Sequence, residues 1–196
     1  MRIGLDTQAV GPRKTGIGQY TYSLLAALRQ LAPEHEYVEL SPGWPVALRT
    51  DRRVWWQQIG LPQRARAAAV DVLHVTGFDA PIWKPCPVVL TVHDLIPRLF
   101  PRNLPPISRL YWARWLPATV RFADMVIADS ESTRRDIIRL LGVPERHVEV
   151  IPLGVGEQFT PQSQQRVVEC RAKYGLAQPF ILFVSTLEPR KGIDTL

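Results

Sequence analysis

Residues whose types suit chemistry fall just after apolar runs of this sequence. His93 and Asp94 follow the β-branched run 87–92. A histidine at the end of a buried strand can donate a hydrogen bond to a sugar hydroxyl or stabilise developing charge. The competing assignment is a structural histidine bonded to a neighbouring loop. His93 and Asp94 are the candidate catalytic residues. Gly16 and Gly18 open the helical run 16–31. Backbone N–H groups at a helix start can meet an anion, and missing side chains let a phosphate or a sugar come close. The same glycines would also suit a helix start that needs them for tight packing. Arg190 and Lys191 follow the apolar run 180–184, with Gly192 before an expected helix. Two cations in that place make an anion site that fits a nucleotide diphosphate, or else two solvated residues of a loop. Ser130 follows the run 125–128 and sits where it can cap the next helix. With Gly16, Gly18, Arg190 and Lys191 it completes the candidate substrate-binding set.

These residues matter only if the intervening elements bring them together. Strands are expected at 2–5, 37–40, 72–75, 87–92, 125–128 and 148–151. The run 16–31 repeats Ile17, Tyr20, Leu24, Leu25, Leu28 and Leu31 at helical spacing, and Pro33 stops it. Residues 54–69 read as partly helical, and 104–122 as an amphipathic helix that Pro117 disturbs. Ser130 starts a helix to Leu141, ended by Gly142 and Pro144. Apolar strands separated by helices predict an α/β fold, a Rossmann-like parallel sheet with helices on both faces. In such sheets ligands sit beyond the carboxyl ends of the strands. The loops holding Gly16, Thr76, His93, Ser130 and Gly154 should then share one edge. His74, inside its strand, is read as structural; His35 and His147 carry no assignment. The domain expected is 1–160, with a polar connection at 161–178. The run 180–184 would be the first strand of a second domain, present as 179–196 and otherwise truncated.

The chain has 196 residues, 46% hydrophobic and 21% charged, enough for one well-buried domain. No apolar run approaches bilayer-spanning length, and Asp6 breaks any signal-peptide pattern, so a cytoplasmic protein is expected. Cys86 and Cys170 lie far apart, match no metal spacing and read as reduced. The net charge of +6 favours anionic partners. Leu110, Tyr111, Trp112 and Trp115 lie among Arg109 and Arg114, which points to peripheral contact with the inner face of an anionic membrane. No compact basic block with interleaved aromatics is present, so no nucleic-acid partner is expected. A nicotinamide-dependent oxidoreductase competes, because Glu39 lies about 20 residues beyond Gly18, where a ribose-binding acid would stand. Against it, the loop after the first strand is about ten residues too long and the third glycine is absent. A non-catalytic nucleotide- or sugar-binding module is the other alternative.

Five stretches in order carry a resemblance: Thr15-Gly16-Ile17-Gly18-Gln19-Tyr20; Val92-His93-Asp94-Leu95-Ile96-Pro97; the run from Ala123 through Asp129-Ser130-Glu131-Ser132 to Arg134; Val150-Ile151-Pro152-Leu153-Gly154-Val155; and Ser185-Thr186-Leu187-Glu188-Pro189-Arg190-Lys191-Gly192. In this order the sequence resembles the family-4 glycosyltransferases. The resemblance implies the GT-B architecture, of which this chain would be the N-terminal half with the second domain truncated. It implies transfer from a nucleotide-diphosphate sugar to a glycan or lipid-linked acceptor with retention, without cofactor or bound metal. It implies that the Gly16–Gly18 loop approaches the donor phosphates and the acceptor, that His93 lies near the transferred sugar, and that Lys191 holds the diphosphate. Many family members carry Gly-Arg where this chain has Ser185-Thr186, so Arg190 would replace that arginine. The family's paired glutamates would lie beyond Leu196, and the isolated chain is expected to be inactive.

Overall fold

Short apolar, β-branched runs become the central strands, and capping residues, prolines and glycines set the helices between them. The computed structural model of the chain describes residues 1–11, 15–43, 50–77, 79–100, 106–185 and 191–195. Six strands are formed: β1 (Arg2–Asp6), β2 (Glu36–Leu40), β3 (Val72–Val75), β4 (Val88–Val92), β5 (Met125–Ala128) and β6 (Val148–Val150). All pair in parallel, in the order β2-β1-β3-β4-β5-β6. Each strand expected between residues 2 and 151 is present, its ends moved by no more than one residue.

Helix α1 (Gly16–Leu31) joins β1 to β2 over the range the apolar spacing predicts. Helix α2 joins β2 to β3 and is continuous: Thr50–Trp55, a wider π turn at Trp56–Gly60, then Leu61–Ala67. Between β4 and β5 lie the short α3 (Ile96–Leu99) and α4, which runs Pro106–Leu110, a π turn Tyr111–Trp115, then Leu116–Val120. The disturbance expected from Pro117 is visible here. Proline cannot donate to the carbonyl four residues back, and that carbonyl, of Ala113, instead accepts from Arg98 Nη1 at 3.2 Å. Helix α5 joins β5 to β6 as Glu131–Asp136 and a π turn Ile137–Leu141. Gly142 ends it at φ 66°, a left-handed cap that glycine adopts without strain.

Right-handed crossovers decide which face each helix covers. The step from β1 to β2 runs opposite in direction to every later step, so α1 lies on one face and α2, α4 and α5 on the other. The main apolar core belongs to the second face. Trp56, Leu61, Tyr111, Leu116, Val120, Ile137 and Leu141 pack there on Leu73, Val75, Val88, Leu90, Val92 and Val126. Of the alternate residues, Thr91 meets Tyr20 of α1 and His74 bonds Thr91, so the centre of the sheet is not apolar on both faces.

The chain divides into two compact units, 1–153 and 154–196, and all six strands belong to the first. The second unit holds helix α6 (Gln164–Lys173), capped by Ser163, and a 3-10 turn at Ile193–Thr195. The expected strand at 180–184 is not formed: these residues carry no ladder, and Ile181, Leu182 and Val184 are strongly exposed. A lone segment has no neighbouring N–H and C=O groups to pair with, however strong its apolar pattern.

Candidate functional site

Strand order reverses direction at β1, between β2 and β3, and the carboxyl ends of strands at such a point flank a crevice. The Thr76 hydroxyl spans that point, donating to the Asp6 carbonyl oxygen at 3.0 Å and accepting from Thr21 Oγ1 at 2.8 Å. Gly77 allows close approach: a Cβ there would stand 3.1 Å from Ile17 Cγ2 and 3.7 Å from His93 Cδ2. The start of α1, the loop after β3 and the loop after β4 therefore converge.

His93 is the centre of this convergence. Its Nε2 donates to the Thr76 carbonyl oxygen at 2.9 Å, and its Nδ1 faces Asp129 Oδ2 at 2.7 Å. The two side chains are 18% and 13% exposed. The Tyr20 ring meets the imidazole edge-on, 4.9 Å between centroids. The Thr133 hydroxyl donates to the His93 carbonyl oxygen at 3.2 Å. Behind them, Thr91 Oγ1 lies 2.9 Å from His74 Nε2 and 3.2 Å from the Tyr20 hydroxyl. Burial, reinforced by the charge of His93, pushes His74 down to about 4, so it is neutral at physiological pH and structural, as its position inside a strand suggests. Burial also pushes the Tyr20 phenol up, against the Thr91 hydrogen bond and with help from the Asp129 charge.

A second polar cluster sits under the loop after β1. Asp6 is fully buried and accepts from Trp56 Nε1 at 3.0 Å, Gln8 N at 3.1 Å, Gln8 Nε2 at 2.6 Å and Gln57 Nε2 at 2.9 Å. Burial without a cation raises it to about 6, against the pull of those four donors. Gln8 Oε1 and Gln57 Oε1 are buried and have no hydrogen-bond partner among the described residues.

The two glycines divide the alternatives that the sequence leaves open. A Cβ on Gly18 would lie 2.4 Å from the Ala9 carbonyl oxygen, so Gly18 is required by packing. A Cβ on Gly16 would meet nothing within 4 Å. The Gly18 N–H is taken by the Thr15 cap at 3.0 Å, whereas the first N–H groups of a helix have no partner within it, which leaves those of Gly16 and Ile17 as anion donors. Ser130 is the N-cap of α5, accepting from Thr133 N at 3.2 Å. Asp94 is exposed and accepts from Ile96 N at 3.0 Å, closing the turn into α3. Gly16, Thr76, His93 and Ser130 follow adjacent parallel strands at one edge, whereas Gly154 opens the second unit. Lys191 is exposed in that unit, and Arg190 lies outside the described residues. Sequence reasoning gave no role to Asp129, Tyr20, Asp6 or Gln57. A signal for Asp129 existed: Val92 and Ala128 are register partners, so the polar residues that follow them stand side by side.

Two expectations change. Tyr111 is buried, and its hydroxyl donates to Asp79 at 2.7 Å; Trp112 packs against the core, and Trp115 Nε1 donates to Asp79 at 3.1 Å. The aromatic group proposed for a membrane face therefore points inward, because a buried carboxylate supplies acceptors for its polar atoms. Glu39, the candidate ribose-binding acid, accepts from Arg29 at 2.9 Å. Among the described residues, no helix is long and apolar enough to cross a membrane, and no group of three His, Cys, Asp or Glu could hold a metal.

The family model for Glycosyltransferase Family 4 matches residues 15–159. The serotype-specific mannosyltransferase WbdA of Escherichia coli is 33% identical over 118 residues, covering 58% of this chain and 14% of WbdA. The O-antigen chain mannosyltransferase B of Escherichia coli is 29% identical over 109 residues, covering 55% of this chain and 29% of the relative. Among solved structures, Anabaena Alr3699/HepE in complex with UDP-glucose superimposes with a TM-score of 0.62 at 17% identity, over 99% of this chain and 55% of that one. The chain spans about half the length of that structure and a smaller share of the mannosyltransferases.

Proposed function

Because the chain belongs to glycosyltransferase family 4, we propose that the whole protein carrying it transfers a sugar from a nucleotide-diphosphate sugar to a glycan or lipid-linked acceptor, with retention at the transferred carbon. The observation that carries this reading is the convergence of Ile17 at the start of α1 with Gly77, His93 and Asp129 at the carboxyl edge of the sheet, inside the matched region. The first N–H groups of α1, which have no partner within the helix, suit phosphate oxygens. His93 lies beside the transferred sugar, and the main catalytic effect is electrostatic stabilisation of the leaving diphosphate, in which Lys191 and Arg190 take part. Relatives named as mannosyltransferases support mannose as the first donor to try, and the fold relative solved with UDP-glucose supplies the second. The long loop after the first strand and the missing third glycine count against the oxidoreductase alternative.

The protein acts in the cytoplasm, at the inner face of the membrane when its acceptor is lipid-linked. The apolar side chains that fit such contact are the exposed Leu99, Phe100 and Leu110, near Arg98 and Arg109. The test is transfer by the whole protein from guanine and uracil nucleotide diphosphates of mannose and glucose to glycan and lipid-linked acceptors. Release of nucleoside diphosphate with a new glycosidic bond is expected for one donor. Hydride exchange with a nicotinamide, and no transfer from any donor, would overturn the reading.

A further inference from the structure

The His93 ring has no spare polar atom. Thr76 offers a carbonyl oxygen, which only accepts, so Nε2 carries a hydrogen. The 2.7 Å contact between Nδ1 and Asp129 Oδ2 has the length of a charge-assisted hydrogen bond, and two facing lone pairs would repel, so that contact holds a proton as well. The groups packed around the ring are Asp129 after β5, Tyr20 from α1, Thr76 and Gly77 after β3, and Thr133 from α5, with His74 behind Thr91 and Asp94 next along the chain. Thr76 fixes the hydrogen on Nε2, and among the other groups Asp129 is the one that can fix the proton at Nδ1.

Asp129 is also an uneconomical residue if stability is its only purpose. Its second oxygen, Oδ1, is buried without a partner. Leaving a buried carboxylate oxygen unmatched costs stability. Sites that keep such a cost commonly do so for function.

We propose that Asp129 is a positioning residue for the transfer reaction. Through Nδ1 it pins the His93 ring, and through His93 it holds the Thr76 carbonyl, so that the loops after β3, β4 and β5 present one fixed surface at the carboxyl edge of the sheet. His93 then contributes its place and its field, and it neither takes nor gives a proton through a ring nitrogen during transfer. The inference rests on the transferase reading for its consequence and on the ring geometry for its existence, and the two are separated experimentally.

The first measurement is the ring 15N and 1H spectrum of His93 in the unmodified chain at neutral pH, assigned with His93→Gln. A hydrogen-bonded N–H signal is expected at Nε2 and a slowly exchanging proton in the Nδ1–Asp129 contact, the latter lost or exchanging faster in Asp129→Asn. The second is steady-state transfer by the whole protein. Asp129→Asn should lower kcat by about 10- to 100-fold, the scale found when a partner that orients a functional histidine is removed. KM for the nucleotide sugar should change little, and Asp129→Glu should restore part of kcat. A wild-type ring that exchanges between tautomers overturns the proposal whether or not any variant folds. So does an Asp129→Asn protein that melts normally and keeps wild-type kcat. A pinned ring in a wild-type protein that transfers no sugar would remove the transferase reading and the catalytic consequence, while leaving Asp129 as the residue that holds the ring.

Discussion

Asp6 shows how a single residue can be well bonded and still carry a cost. Four N–H groups point at its carboxylate, yet none belongs to a cation, and burial raises its pKa from 3.8 to about 6. A carboxylate with a raised folded-state pKa binds its proton more tightly folded than unfolded. The stability it contributes is therefore full below about 3.8 and is lost as pH rises through about 6. A shift of roughly two units corresponds to about 3 kcal/mol in order of magnitude. Asp6→Asn has no charge to desolvate, and its new amide can donate to Gln8 Oε1 or Gln57 Oε1, the acceptors that now lack partners. Relative to wild type, the Asn variant should gain stability as pH rises from 4.5 to 7.5, read as the difference between paired thermal melts. A difference that does not change with pH would mean that Asp6 is ionised without penalty. The glycines make a second residue-level contrast. Gly18→Ala should cost about 1–3 kcal/mol, since a methyl group meets a backbone carbonyl that cannot move aside freely. Gly16→Ala should leave the melting temperature within the range of an ordinary surface change, about 0.5 kcal/mol, and show its effect as a raised KM for the nucleotide sugar. Equal melting temperatures for the two variants would refute the division.

At the scale of elements, most of the sheet was legible because buried parallel strands are short β-branched runs, and β3, β4 and β5 each read so. Helix α1 was legible from its apolar spacing, whereas its Thr15 cap was not read from the sequence. The continuity of α2 was not, since Gly60 and Pro62 look like breakers; a π turn, with Trp56 and Gln57 buried beneath it, absorbs them. At the site, each polar residue after a strand was legible, but its partner was not. His93 finds Asp129 only through the register of β4 with β5, and Asp6 finds Gln57 across 51 positions. The apolar run at 180–184 forms no ladder in this chain for a related reason, since a strand is a property of a pair. Ser130 tests the element scale directly. As N-cap of α5 it should cost about 1 kcal/mol when changed to Ala, and its replacement by Asp, which also caps, should restore the melting temperature. If Ser130→Ala melts as wild type but loses transfer, the hydroxyl serves a ligand instead.

At the scale of the molecule, charge and second-unit residues set the remaining expectations. Lys191→Ala in the whole protein should lower kcat/KM by roughly 10²-fold, about 3 kcal/mol of transition-state stabilisation, if the lysine holds the leaving diphosphate. Near-wild-type kcat/KM in a variant that melts normally would leave Lys191 a solvated residue.

The proposed membrane contact would draw on the net charge of +6, with Leu110 and Arg109 retained from the group read in the sequence and its aromatic residues replaced. With Tyr111 and Trp115 committed to Asp79, the apolar contribution falls to Leu99, Phe100 and Leu110. Arg98 links α3 to α4 through the Ala113 carbonyl, which keeps these residues on neighbouring elements. A basic side chain near an anionic bilayer is worth about 1 kcal/mol, and the attraction decays over a Debye length of about 10 Å at 0.1 M salt. Leu110 exposed on α4 adds apolar area that salt does not screen. Sedimentation with vesicles should therefore favour anionic over neutral lipid at low salt and lose most of that preference at high salt. Leu110→Ser and Phe100→Ser should weaken binding at every salt concentration while leaving its salt dependence unchanged. Equal sedimentation with neutral and anionic vesicles at low salt would show that the arginine excess is a solvated surface and that the acceptor is reached without a membrane.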